Sequence, residues 1–362
     1  MHTRTFFAIA LLVLSTATAA AQDLKPGVAE APAQPAPPPP PYKLSGLMFG
    51  DYYVFAKQHL DAWEGQHGLW LRRVYFTYDH TFTPKLSTRL RLEMNSNGKL
   101  AGGSLTPYVK DAYLRWNFRG RQALTLGIQP TLTFEHVEAV WGLRHIEKTP
   151  LDLYRVDSAR DFGVTLSGPL NAPQTIKYAV QFGNESGNNA ETDTFKSYRV
   201  STRYEPKQGL TAEVMLGQFG RPNDGDRTTA QLFAGYRAPR GRLGAQYSFQ
   251  KRRAPDGSTA PDTDLDIFSG FGVFDLMPRR LSAFVRADRY ADPCPDCAGI
   301  DYLPIATTHP FTMTLAGLEY SLQPSVRFSP NVEWVAYSNR GGAIAARPAN
   351  DAAVRLTFYW TF

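Results

Sequence analysis

From Tyr42 to Phe362 apolar and polar residues alternate along most of the chain. In LSTRLRLEMN, Leu86, Thr88, Leu90, Leu92 and Met94 fall on one face, and Ser87, Arg89, Arg91, Glu93 and Asn95 fall on the other. A period of two is that of a β-strand, whose successive side chains point to opposite sides. The same template fits AYLRWNF, where Ala112, Leu114, Trp116 and Phe118 oppose Tyr113, Arg115 and Asn117. It also fits VRLTFYWTF at the C-terminus, with Val354, Leu356, Phe358, Trp360 and Phe362 on one side and Arg355, Thr357, Tyr359 and Thr361 on the other. Sixteen such runs are predicted, starting near residues 42, 68, 86, 108, 123, 161, 176, 196, 210, 228, 242, 266, 281, 310, 326 and 353. Helical spacing fits them less well.

The connections alternate in length. Short turns carrying Pro or Gly lie at TPK (83–85), RGRQ (119–122), LNAPQ (170–174), EPKQG (205–209), APRG (238–241), MPRR (277–280) and QPS (323–325). Between them come long polar segments such as KQHLDAWEGQH and RRAPDGSTAPDTD. The expected fold is all-β: a transmembrane antiparallel β-barrel of about 16 strands, with short periplasmic turns and long external loops.

The two faces suit that geometry. Arg or Lys facing lipid at mid-bilayer costs roughly 2–4 kcal/mol, and the face assigned outward carries almost no charge. Arg72 and Lys110 are its exceptions; they are expected to snorkel from strand ends. Outward aromatics are expected near strand ends, as in an interfacial girdle: Trp70, Tyr78, Trp116, Phe118, Tyr204, Tyr236, Tyr320 and Trp360. The inward face would carry Arg73, Asp79, Arg89, Arg91, Glu93, Asp111, Arg115, Asp161, Lys177, Arg199, Arg203, Glu213, Arg286, Glu319, Arg327, Glu333 and Arg355. Burying so many ions in a dry core costs several kcal/mol for each, whereas a water-filled lumen removes that cost.

Between the fifth and sixth strands lies a long segment, residues 130–160, with Glu135, His136, Glu138, Arg144, His145, Glu147, Lys148, Arg155 and Arg160 beside Phe134, Trp141 and Leu143. Loops of such length in a compact protein usually carry function. Folded inward it forms a constriction with charges on the permeation path; the alternative is an external flap over the mouth.

Composition adds limits. The mean hydropathy of -0.33 fits a barrel with one wet face as well as a water-soluble protein. MHTRTFFAIALLVLSTATAAAQ has a basic start, an apolar run from Phe6 to Leu14 and an Ala-x-Ala site, so residues 1–21 read as a secretory signal peptide cut before Gln22. Residues 22–41, rich in Pro and Ala, read as a periplasmic linker, and 42–362 as the barrel. No later run approaches the roughly 20 apolar residues of a membrane helix. The formal charge of +6 comes from dispersed Lys and Arg, which argues against nucleic acid. Cys294 and Cys297 lie in DPCPDC with no His or further Cys nearby, so a local disulfide in an oxidising compartment is expected ahead of a metal site. No cofactor is implied.

Five pieces, LWLRRVYFTYDHTF, KLSTRLRLEMN, YVKDAYLRW, LTLGIQP and SARDFGVTLSG, resemble in order the first half of the phosphate-selective porin O and P family of outer-membrane porins. The resemblance covers residues 68–168 and is loose elsewhere. It implies a sixteen-stranded barrel, a homotrimer and a long inward loop lining the eyelet. It does not carry phosphate selectivity with it: that depends on a dense basic ladder, whereas acids are mixed with the cations here. Arg73, Arg89, Arg91 and Arg115 form at most a basic strip, or a structural ladder with Asp79, Glu93 and Asp111. The terminal strand ending in Phe362 also resembles the signal read by the bacterial barrel-assembly machinery.

The expected function is passive diffusion of small polar or anionic solutes through a bacterial outer membrane, with outer-membrane lipid around the wall and no enzymatic activity. One alternative is a plugged barrel acting as an adhesin or scaffold. Another is an outer-membrane hydrolase, for which His80 near Ser87 or Thr81 is the best catalytic pair.

Overall fold

The computed structural model describes residues 41–95, 104–206, 208–259, 261–300, 302–339 and 346–362. The expected signal peptide and all of the linker except Pro41 lie outside these residues.

Sixteen antiparallel strands close into one barrel in sequence order. They are β1 (Tyr42–Lys57), β2 (His67–Thr83), β3 (Leu86–Asn95), β4 (Thr106–Arg119), β5 (Gln122–Pro130), β6 (Arg160–Pro169), β7 (Ile176–Gly183) and β8 (Ser197–Tyr204). The second half comprises β9 (Leu210–Phe219), β10 (Arg227–Ala238), β11 (Gly241–Arg252), β12 (Thr263–Met277), β13 (Leu281–Tyr290), β14 (Phe311–Gln323), β15 (Val326–Tyr337) and β16 (Asp351–Thr361). Every wall strand has a hydrogen-bonded neighbour on both sides, because a closed sheet has no edge.

The seam joins β1 to β16, from Leu47 opposite Thr361 to Lys57 opposite Ala352. Beyond it, Gly46 and Phe362 exchange backbone hydrogen bonds of 2.8 and 3.0 Å. The Phe362 ring lies over Gly46, and a Cβ placed there would be 2.1 Å from its Cζ. Gly46 thus leaves the space that the terminal ring fills.

Alternation sends apolar side chains to the outside all round the wall, with Leu90, Leu114, Leu126, Val180, Val200, Leu232, Val285 and Val354 exposed. Trp116, Phe118, Tyr204, Tyr236 and Tyr320 are exposed near strand ends, where an interfacial girdle belongs.

Three outward assignments are corrected. Arg72, Lys110 and Trp70 all face the interior. Between Phe49 and Gly50 the β1–β2 register shifts, leaving Arg72 as an extra residue in β2. Opposite Arg91 and Leu92, Lys110 is extra in β4. A bulge inserts one residue without a partner, so two neighbours share a face and the phase beyond is reversed. Arg72 and Lys110 are consequently buried, and Trp70 packs against Tyr302, ring centroids 5.6 Å apart.

Candidate functional site

The long segment between β5 and β6 folds into the barrel and is no external flap. It contains α1 (Glu135–Trp141), ended by Gly142 in the left-handed conformation, and the single turn α2 (Pro150–Leu153). Its apolar residues hold it against one side of the wall. Trp141 is fully buried edge-on to Phe271 and Phe284 (5.1 and 6.3 Å), with the Arg286 guanidinium 5.3 Å from its ring. Val137, Val140, Leu143 and Ile146 complete that cluster with Phe233, Val273 and Leu315.

Wall cations grip the loop backbone. Arg242 donates to the Trp141 carbonyl (2.9 Å), Arg237 to that of Ala139 (2.8 Å), and Arg72 to those of His145 (2.6 Å) and Ile146 (3.0 Å). His136 Nε2 lies 2.7 Å from Thr211 Oγ1, and His145 Nε2 lies 2.6 Å from Glu319 Oε2. Burial, with Arg203 adding its charge, lowers the His136 pKa to about 3. It is an uncharged anchor at neutral pH.

A second inward segment, residues 291–300 and 302–310, covers the latter half of this loop. The bonded Cys294 and Cys297 pack in one apolar cluster with Leu151, Leu153, Tyr154, Ile300 and Leu303. Tyr302 donates to Glu147 (2.8 Å), and Arg155 to the Gly299 carbonyl (2.9 Å). Nothing in the sequence pattern marked this segment as inward.

The apolar contacts of both segments are thus mainly with β9–β16, joined by Phe55 of β1 and Trp70 of β2, and open space remains along β2–β8. Three chambers occupy it. The outer one, about 940 Å³, is lined by Glu185, Asn188 and Arg221 at the long-loop end. The middle one, about 360 Å³, lies between Tyr75, Arg91, Lys110 and Arg160 of the wall and Glu135, Glu138 and Arg144 of the loop. The inner one, about 550 Å³, reaches Arg121 and Gln174 at the short turns and is lined by Arg115, Lys177 and Arg203. Lys110, Arg144 and Ala159 border both the outer and middle chambers, and Glu135 borders both the middle and inner ones.

Most of the wall cations are paired. Arg73 Nε is 3.1 Å from Glu93, which Lys110 also bonds. Arg91 is 3.4 Å from Asp111, to which Arg160 also donates, and Arg89 holds Asp79 through two bonds (2.7 and 3.1 Å). Arg115 has no carboxylate within salt-bridge distance among the described residues. Two of the pairs are asymmetric: Glu93 and Asp111 are 1% and 0% exposed, whereas Arg73 and Arg91 are 15% and 26% exposed. Water in the chambers therefore meets the cation of these two pairs, whereas Arg89 and Asp79 are similarly exposed.

Tyr75 joins wall and loop. Its hydroxyl accepts from Arg73 (3.1 Å) and from Arg144 of the loop (3.3 Å), while Arg91 and Lys110 lie 5.6 and 5.4 Å from its ring centre. Arg144 also donates to Glu138 and Asp152, both at 2.7 Å, and Lys148 is 3.7 Å from Asp152.

The remaining expected cations divide in two. Lys177 bonds Glu205, Arg203 is 3.1 Å from Glu213, and Arg327 is 3.3 Å from Glu319, all partly exposed. Arg199, Arg286 and Arg355 point inward but are sealed from water, bound to Asp157 (2.6 Å), Asp288 (2.7 Å) and Glu333 (3.0 Å). They hold structure beneath the inward segments and border none of the three chambers. His80, paired across β2–β3 with Thr88, lies on the opposite face from Ser87 and Thr81, so the hydrolase pair is not brought together. Tyr75 escaped the sequence reading, and Lys110 was assigned there to the outward face. Adjacent charges in an alternating strand, Arg72–Arg73 and Lys110–Asp111, are the signal that could have found the bulges.

No family model matches the chain, and no curated protein sequence matches it, so the likeness to phosphate-selective porins rests on the sequence pieces quoted above. Solved structures do match. An anion-selective porin from Comamonas acidovorans is similar at 12% identity and a TM-score of 0.65, over 89% of this chain and 99% of that one. The outer membrane channel DcaP of Acinetobacter baumannii is similar at 12% identity and a TM-score of 0.60, over 89% and 97%. Salmonella typhi OmpF in complex with daunomycin is similar at 11% and 0.60, over the same shares. At these identities the likeness is one of fold. A closed sixteen-stranded barrel with an apolar belt is the build of a bacterial outer-membrane protein, and this chain has the porin form of it.

Proposed function

We propose that the chain is an outer-membrane porin that lets small polar solutes diffuse passively and prefers anions. One observation carries the reading: the three chambers follow one another from the long-loop end to the short-turn end and share lining residues. On this reading Arg73, Arg91, Arg115, Lys177 and Arg203 line the path, and Arg144 and Glu135 of the loop set its constriction. The anion preference follows from Glu93, Asp111 and Glu213, hidden behind the cations they pair with, since exposed charge sets the potential that a passing ion meets. The homotrimer and the recognition of Phe362 by the assembly machinery belong to the same proposal.

Purified, refolded protein in a planar bilayer tests it. Stepwise conductance in potassium chloride is expected, with a reversal potential favouring chloride in a salt gradient. A folded protein that never opens would overturn the pore. A cation-favouring potential would overturn the preference alone. The plugged-barrel reading has one observation in its favour, the two inward segments packed together, and a silent folded protein would support it.

A further inference from the structure

The middle chamber has two unlike sides. Arg91 on the wall and Arg144 on the loop are its most exposed cations, at 26% and 23%. Both are fixed through Tyr75, one over its ring and one at its hydroxyl. Beside them the lining turns apolar: Leu47 of β1, Ala139 and Ala159 of the loop, and the Tyr359 ring of β16. These four are half-buried or exposed, so they reach the chamber's water. The inner chamber differs in balance: Leu132, Pro169 and Tyr178 give it apolar surface too, but Asn117, Gln129, Thr165 and Ser167 line it beside its cations, so its lining is predominantly polar.

An apolar side in the smallest chamber is unhelpful to an inorganic ion, which gives up water there and gains no hydrogen bond in exchange. A solute with a hydrocarbon body gains from the same surface. The charge count limits the other end of the solute. Arg91 and Arg144 already bond carboxylates, and Glu135 and Glu138 line the same space. A single added negative charge is met by the two guanidinium groups, while a second would face Glu135.

Resting on the pore reading, we propose that the middle chamber is a binding site for organic monocarboxylates. The carboxylate lies between Arg91 and Arg144, and the hydrocarbon body lies on Leu47, Ala139, Ala159 and Tyr359. The site selects by amphipathic shape, with charge as the second requirement.

Single-channel chloride current in a planar bilayer tests this with benzoate, acetate and inorganic phosphate, added at constant ionic strength. Benzoate is expected to reduce the current saturably at about tenfold lower concentration than acetate, the factor that a modest gain in buried apolar surface gives. Leu47→Ser is expected to shift the benzoate midpoint upward and leave the acetate midpoint in place. Equal block by benzoate and acetate, or stronger block by phosphate, overturns the site while channels still open. Absence of channels in chloride alone overturns the pore reading itself, so the two failures are distinct.

Discussion

Arg72 and Asp51 meet inside the barrel, guanidinium Nε to carboxylate Oδ2 at 2.6 Å and Nη2 to Oδ1 at 3.0 Å, where β2 carries its extra residue. The same guanidinium holds two carbonyls of the constriction loop. Removing one partner of a buried pair costs about 3–5 kcal/mol, because the other is left charged and unpaired. Arg72→Ala is expected to lower the thermal unfolding midpoint and to make the open current noisier as the loop loses its anchor. Arg72→Ala, Asp51→Ala together should recover much of the midpoint but not the quiet current. A quiet single variant would mean that the apolar cluster around Trp141 holds the loop by itself.

Tyr75→Phe deletes one hydroxyl shared by Arg73 and Arg144 and keeps the ring. Hydrogen bonds to charged groups contribute about 1.5–3 kcal/mol, so Arg144 should become mobile in the constriction. A reversal potential nearer zero is expected, with the variant still migrating as a folded barrel on unheated gels. An unchanged potential would remove Tyr75 from any part in selectivity.

Glu185 gives the outer chamber a pH response. It sits between Arg221 (2.6 Å) and Arg199 (3.2 Å), and Asp157 and Asp161 share Arg199 with it. Burial, with the Asp157 charge adding to it, raises its pKa to about 7. The carboxyl is charged above that pH and neutral below it, so acidification removes a negative charge and frees Arg221. Anion preference should rise from pH 8 to pH 6, and Glu185→Gln should be flat across that window. His136, at about 3, contributes nothing there.

Gly46→Ala tests the seam. The added methyl has no room beneath the Phe362 ring, and β1 pairs with β16 along that edge. A smaller folded fraction on unheated gels is expected, with Phe362→Leu in the same chain restoring part of it. Full folding of Gly46→Ala would show that the terminal ring moves aside without cost.

The wall was legible because its signal is local. Alternation and Pro/Gly turns need only neighbouring residues, and predicted strand starts such as 86, 176, 210, 281 and 326 coincide with those observed. The inward loop was legible too, as a long interruption rich in charge and carrying Phe134, Trp141 and Leu143. Bulges were not, since one extra residue leaves the alternation on either side intact and reverses only its phase. That is why Arg72, Lys110 and Trp70 were read as facing out. The second inward segment, residues 291–300 and 302–310, was illegible for another reason. It has no periodicity, and its apolar residues join one cluster with Phe55, Leu151, Tyr290 and Tyr337, which come from widely separated parts of the chain. Pairing was half legible: Arg89 with Asp79 lie opposite in register, but which member of each pair meets water depends on the folded surface.

Both inward segments pack their apolar residues mainly against the β9–β16 half of the wall, and the charged lining of the middle chamber runs from Arg91 to Arg160. The charged groups of that chamber therefore occupy one uninterrupted stretch of chain, while Leu47, Tyr75 and Tyr359 reach it from β1, β2 and β16. That makes its charge transplantable by itself: exchanging the stretch from β3 through the start of β6 between two such barrels moves the charges as a cassette and leaves those three side chains behind.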